Sequence, residues 1–182
     1  MTGSTAAMSI HEFDVRAMYA AMDAQRAALG LTWPNVARAL WDQSAVLNER
    51  RGDHPISPAT LTGIAKRGDC TCQHALFILR WLDRAPEDFL SGPRDDRGHV
   101  DLPPAAEDRR LRWDLAAVYN ALDARRRERG LTWREVAQPL RCTDNQLTGI
   151  RTARYAIGMR LMMRIVQWLD QPAAAFIYPA EW

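Results

Sequence analysis

An internal repeat is the feature that most limits how this chain can fold. Gly30-Leu31-Thr32-Trp33 recurs as Gly130-Leu131-Thr132-Trp133, and seven of the eleven positions from Gly30 onward are identical at an offset of 100. Leu61-Thr62-Gly63-Ile64 recurs as Leu147-Thr148-Gly149-Ile150 at an offset of 86. Two copies are too few for a solenoid, so the repeat predicts a duplicated domain.

The repeat also predicts the domain boundaries. The first unit is expected over residues 10–90, with an insertion at about 42–56, because the two offsets differ by 14 residues. The second unit is expected over residues 109–182. Residues 91–108 are rich in Pro, Asp and Gly, a composition typical of a linker.

Each unit is predicted to be helical. Val15, Met18, Tyr19 and Met22 follow the spacing of one helix face, and the second unit repeats this pattern. Five short helices are expected in each unit, with the second helix of the first unit continuing to about Arg50. The last helices are expected at about 86–90 and 172–178. Strand alternation is not evident in the sequence, so the predicted fold class is all-α.

The second unit contains the pattern of a helix–turn–helix. Thr132 and Glu135 have capping-box spacing before one apolar run, and Thr143 and Gln146 repeat that spacing before the next. The second of these helices is expected to carry four polar side chains on its exposed face, namely Asp144, Asn145, Gln146 and Thr148. A helix with such side chains can enter the major groove of DNA and bind base edges.

The charge distribution favours a polyanionic partner. The net charge is only +2, but residues 109–164 hold 13 basic and 5 acidic side chains, a balance of +8. A concentrated basic segment is typical of a nucleic-acid-binding surface. With no apolar run of transmembrane length and only three cysteines, we expect a cytoplasmic protein that does not bind membranes.

The sequence contains no pattern that indicates an enzyme. It lacks a glycine-rich phosphate loop, a carboxylate pair and a nucleophile–histidine motif. Cys70, Cys72 and His74 have a spacing that matches no common zinc site. We therefore predict no enzymatic activity, no cofactor and no metal.

The ordered set of motifs resembles the lambda-repressor-like (Cro/C1-type, XRE) helix-turn-helix family. In the second unit the resemblance rests on residues 126–131, Val136-Ala137, Leu147, Ile150 and residues 165–169, and the first unit repeats most of these. It implies two tandem five-helix domains that bind double-stranded DNA and regulate transcription. The base-reading positions that it implies are Asp144, Asn145, Gln146 and Thr148, with Thr60 and Thr62 in the first unit. The phosphate-binding positions that it implies are Arg125, Arg126, Arg129, Arg134, Arg151, Arg154 and Tyr155, with Lys66 and Arg67 in the first unit.

The first unit departs from the family pattern. Its connection before the third helix is far longer than a tight turn, and that helix offers no early amide or arginine. The second unit is therefore expected to be the main reader. Two joined units could replace a two-fold dimer on DNA, or the chain could pair with a second copy. The alternative function is a helix-turn-helix adaptor that binds a polypeptide instead of DNA.

Overall fold

The computed structural model describes residues 9–92, 100–153 and 156–182, and in these residues the fold is mainly α. The helices of the first repeat are α1 (Val15–Ala28), α2 (Trp33–Asp42), α3 (Ala45–Asn48), α4 (Pro58–Arg67) and α5 (Cys72–Leu82). Those of the second are α6 (Leu115–Glu128), α7 (Trp133–Leu140), α8 (Asp144–Gly149) and α9 (Met159–Trp168). Strands β1 (Arg110–Trp113) and β2 (Ile177–Ala180) pair antiparallel, and 3₁₀ turns lie at Pro86–Phe89, Ile150–Thr152 and Ala173–Phe176.

Matching local signals start and stop the first helices of the two repeats. Asp14 and Asp114 cap α1 and α6 by accepting a hydrogen bond from the backbone three residues later. Gly30 and Gly130 follow these helices at φ +64°, a left-handed conformation that favours glycine. The sequence pattern therefore fixes the same helix ends in both copies.

The all-α expectation was wrong about the short sheet. Arg110 pairs with Ala180 and Trp113 with Ile177, so β1 and β2 tie the start of the second repeat to its end. Each strand has only four residues and β2 contains Pro179, so the brief alternation of β1, Arg-Leu-Arg-Trp, is too short to predict a strand.

Other element boundaries also differ from the expectation. The expected fifth helix of each repeat is a 3₁₀ turn. The second helix of the first repeat ends at Asp42 instead of continuing to Arg50. The chain turns there because Ser44 is fully buried and its hydroxyl donates to the carbonyl of Arg109 at 2.7 Å.

The insertion and residues 105–110 hold each other in place. The guanidinium of Arg80 donates to the carbonyls of Gln43 and Ala105, both at 2.7 Å. Arg110 is 4% exposed, lies over the ring of Trp41 and forms an ion pair with Asp53. The insertion is therefore packed against the chain that leads into the second repeat.

The two repeats share one hydrophobic core. Buried residues of α1, α2, α4 and α5 form a continuous cluster with those of α6 to α9. Helix α5 contacts both α9 and β1, so the repeats meet along their last long helices. In the described part of the chain, no helix has the length and apolar character needed to cross a membrane.

Candidate nucleic-acid interface

Helices α7 and α8 form a capped helix pair in the second repeat. In α7 the Thr132 hydroxyl accepts from the Glu135 amide, and the Glu135 carboxylate accepts from the Thr132 amide at 2.7 Å. Thr143 and Gln146 make the same reciprocal pair at the start of α8. Each box satisfies backbone donors that would otherwise be unpaired. Both helices therefore begin at fixed positions.

The turn between these helices is equally well defined. Arg141 ends α7 in a left-handed conformation at φ +51°. Val136, Ala137 and Leu140 of α7 and Leu147 of α8 are buried in the common core. This packing fixes the orientation of α8 against the rest of the repeat, which leaves its opposite face exposed.

The exposed face of α8 carries the side chains that the sequence predicted as base readers. Asp144, Asn145 and Gln146 are exposed and Thr148 is half-buried. The Thr148 hydroxyl donates to the Asp144 carbonyl at 3.1 Å, and Asp144 Oδ1 accepts from the Asn145 backbone at 2.9 Å. Gln146 Oε1 is occupied by the capping box. Within the described residues, the side-chain amide of Asn145 makes no hydrogen bond, so it is the group most available to a ligand.

The predicted phosphate-binding arginines fall into two groups. Arg129, Arg134 and Arg151 are exposed, and Arg134 and Arg151 have no ion-pair partner in the ranges described by the structure. Arg125 is half-buried and donates to the carbonyl of Leu169. The guanidinium of Arg129 lies over the ring of Trp168, so Arg134 and Arg151 are the exposed pair with no recorded contact among the described residues. Arg154 and Tyr155 lie outside the described residues.

The position of Arg126 differs from the expected phosphate contact. Its Nη2 donates to Asp123 at 2.7 Å, its Nη1 donates to the Leu131 carbonyl at 2.9 Å, and its guanidinium lies over the Trp133 ring. Arg26 of the first repeat makes the equivalent contacts. Because the same network occurs within each repeat, we assign Arg126 a structural role.

A groove of about 320 Å³ brings further positive charge next to α8. Gln146 and Gly149 of α8 line one side of it, and Arg160 and Arg164 of α9 line another. Arg160 is exposed, whereas the side chain of Arg164 is 15% exposed. The sequence interpretation missed both residues, although their spacing of four places them on one face of a helix. An exposed arginine is thus adjacent to the predicted reading helix.

The corresponding face of the first repeat is less polar. In α4, the Thr60 hydroxyl pairs with the Ser57 hydroxyl at 2.9 Å, and the Thr62 hydroxyl donates to the Ala59 carbonyl at 3.4 Å. Lys66 and Arg67 are exposed at the end of the helix, but the Arg67 guanidinium folds back over Gly63 and donates to the Thr60 carbonyl at 3.2 Å. This face offers methyl groups and two cations, without an amide like that of Asn145.

The cysteines and His74 lie away from the exposed face of α8, apart from Cys142 in the turn before it. Burial raises the pKa of Cys70 and of Cys72 to about 12, and burial lowers the pKa of His74. Among the described residues, no cluster of three potential metal ligands occurs. At neutral pH these thiols are therefore protonated.

Comparison with known proteins gives no independent assignment. The chain matches no family model, no curated protein and no solved structure.

Proposed function

We propose that this chain is a sequence-specific double-stranded DNA-binding transcriptional regulator of the lambda-repressor-like type. The second repeat is the main reader. The observation that carries the proposal is the exposed amide of Asn145 on a capped helix, whose Gln146 lines a groove together with the exposed Arg160. A fixed polar helix with cations around it is the arrangement that major-groove recognition requires.

The polar side chains of α8 are assigned to base edges. The amide of Asn145 can donate to adenine N7 and accept from the adenine N6 amine. The amide nitrogen of Gln146 remains a donor while its oxygen completes the capping box. Asp144 can accept from the cytosine amine. The hydroxyl of Thr148 is used within α8, which leaves its methyl group for a thymine contact.

The exposed cations are assigned to phosphates. Arg129, Arg134 and Arg151 are the proposed contacts from the earlier set, and Arg160 is added because it lines the groove beside Gln146. Arg154 and Tyr155 stay in the proposal on the resemblance alone. Arg125 and Arg126 are removed because their guanidiniums bind elsewhere in the fold. Positions Lys66 and Arg67 would contribute from the first repeat.

Selection of duplexes from a random pool tests this proposal. The wild-type chain is expected to enrich one sequence pattern, because a bidentate amide–base pair contributes about 1–3 kcal/mol of discrimination. Asn145→Ala should lose that preference at one base position. Asn120→Ala is the matched control, since Asn120 is an exposed asparagine on α6 of the same repeat. Failure to enrich any pattern would contradict the proposal.

The adaptor function is the alternative outcome of the same experiment. It is favoured by the weakly polar face of α4, which offers few groups for base recognition. An adaptor would bind random duplexes only weakly and with the same affinity before and after Asn145→Ala. In that case the ligand of the chain would be a polypeptide and not DNA.

A further inference from the structure

The repeats meet through equivalent positions. Thr71 and Gly158 form an antiparallel bridge. They are equivalent residues at an offset of 87, the one that relates Trp81-Leu82-Asp83 to Trp168-Leu169-Asp170. The Cys72 amide donates to the Ile157 carbonyl at 2.8 Å, and the Met159 amide donates to the Cys70 carbonyl at 2.8 Å. Each bond is the repeat-related copy of the other. The contact is thus isologous, as in a two-fold dimer.

The segments before α1 and α6 each contact the opposite repeat as well. His11 and Leu111 are equivalent at the offset of 100. The His11 carbonyl accepts from Gln167 of α9 at 2.8 Å, and the Leu111 carbonyl accepts from Gln73 of α5 at 2.9 Å. Each segment therefore contacts the last long helix of the opposite repeat, but the two donors are not equivalent residues, because Gln73 lies at the start of α5 and Gln167 near the end of α9.

This contact surface is already fully used within one chain. Cys70, Cys72, Ile157 and Met159 are all less than 9% exposed, and they belong to the shared hydrophobic cluster. A second copy of the chain could not reach these residues while the fold is intact. In a protein with one repeat, this surface would be free to join a second copy. In this chain each repeat covers that surface of the other.

The same geometry holds α4 and α8 on either side of the pseudo-two-fold axis. The chain runs only four residues from Arg67 to the bridge and six residues from Thr152 to it. At about 3.6 Å per residue, roughly 40 Å is the upper limit for the distance between the end of α4 and the end of the turn after α8. Asp69, two residues beyond α4, lines the same groove as Gln146 and Gly149 of α8. Successive major grooves on one face of a duplex are about 34 Å apart.

We infer that one chain, acting alone, occupies both half-sites of its DNA site, and that the two half-sites differ in sequence. This inference rests on the proposed function. Helix α8 reads the half-site that is rich in hydrogen-bonding contacts. Helix α4, with Ala59, Thr60 and Thr62 on its outer face, presents methyl groups of the kind that contact thymine methyls. Lys66 would bind phosphate at this second half-site.

The test uses the full chain and the duplex obtained by selection. Mass measurement of the complex should give one chain per duplex, and base-modification footprints should show two dissimilar segments about one helical turn apart. Inserting five base pairs between the segments turns them to opposite faces of the DNA. Affinity should then fall by on the order of 100-fold, because the gain from joint binding is lost.

A protein variant provides the second arm. Lys66→Ala should weaken binding to the complete site several-fold and leave unchanged the affinity for a duplex that keeps only the α8 segment. Two chains on a palindromic site, or one chain with a single protected segment, would overturn the inference and leave the proposed function intact. A pool in which nothing is enriched would overturn both.

Discussion

The two repeats differ at their surfaces and agree in their interiors. Arg26 and Arg126 both bind an aspartate three residues earlier and the carbonyl five residues later. Trp33 and Trp133 lie beneath these guanidiniums, and each stacks on a tyrosine with ring centroids 5.5 Å apart. A network retained in both copies serves the fold, because only one copy has the polar face expected of a reader.

The differences are concentrated at exposed positions around α7 and α8. At four of them the second repeat has a charged or amide side chain where the first has an apolar one: Arg129 for Leu29, Arg134 for Pro34, Asn145 for Ala59 and Arg151 for Ala65. The core residues of the helices before α5 and α9 change little, as in Val36 and Val136 or Leu61 and Leu147, whereas the buried residues of α5 and α9 differ at most positions. The duplication therefore separates the residues that build the fold from those available to a partner.

The largest expected effect concerns the shared interior. Leu40 and Leu140 are equivalent and fully buried, so replacing either with alanine should lower the free energy of unfolding by about 2–5 kcal/mol. Because the core is continuous, either change should shift one common urea transition. Two separate transitions, with only one shifted by each variant, would show that the repeats unfold independently.

The arginine network should give the next largest effect. Arg26→Ala and Arg126→Ala each remove charged hydrogen bonds and a contact with a tryptophan ring. Each should cost about 2 kcal/mol in urea unfolding. DNA affinity, measured well below the melting temperature, should stay within about two-fold of wild type. A uniform loss of affinity in Arg126→Ala alone would instead give that residue a phosphate contact.

Exposed arginines of the second repeat should change affinity without changing stability. Arg134→Ala and Arg151→Ala should each weaken binding to all sequences alike and reduce the slope of log affinity against log salt by about 0.9. Arg38→Ala is the control from the first repeat, since Arg38 is also exposed on the second helix of its repeat. Unchanged salt slopes in both variants would place these cations away from the DNA.

The smallest expected effect concerns the capping box of α7. Helix α2 has the equivalent Thr32 cap but lacks the return bond to the cap amide, because Asn35 stands where α7 has Glu135. The Thr132 hydroxyl and backbone amide lower the pKa of the Glu135 carboxyl. The ionised Glu135 carboxylate therefore stabilises the folded chain at pH values above the pKa of this group in the unfolded chain, near 4.3. This stabilisation is lost as the pH falls through the lower pKa of the same group in the folded chain. Glu135→Gln should reduce the melting temperature slightly at pH 7 and not at pH 3. An equal reduction at both pH values would exclude the charge as the cause.

Much of the helical architecture could be predicted from local signals. Caps such as Thr132 and Thr143, and stops such as Gly130, depend on neighbours in the sequence, and the structure retains them. The β1–β2 pair and the position of α3 depend on contacts between distant residues. Pairing of Arg110 with Ala180, for example, joins residues 70 apart, and the alternation in β1 covers only four residues.

The candidate site was predictable only in part for the same reason. The exposure of Asn145 follows from the capping pattern and the helix period. By contrast, the bonds of Arg125 to Leu169 and of Gln167 to His11 join residues whose proximity only the folded chain reveals. The composition of the 109–164 segment shows its charge and does not show which guanidiniums are already bound.

Site-specific photocrosslinking from position 145 tests the central claim most directly. A photoreactive residue there, in the full chain bound to the selected duplex, should crosslink to bases at one defined position in the major groove. The same residue at position 120 on α6 should give only background. Background crosslinking from position 145, or crosslinks spread evenly along the duplex, would contradict the assignment of α8 as the reading helix.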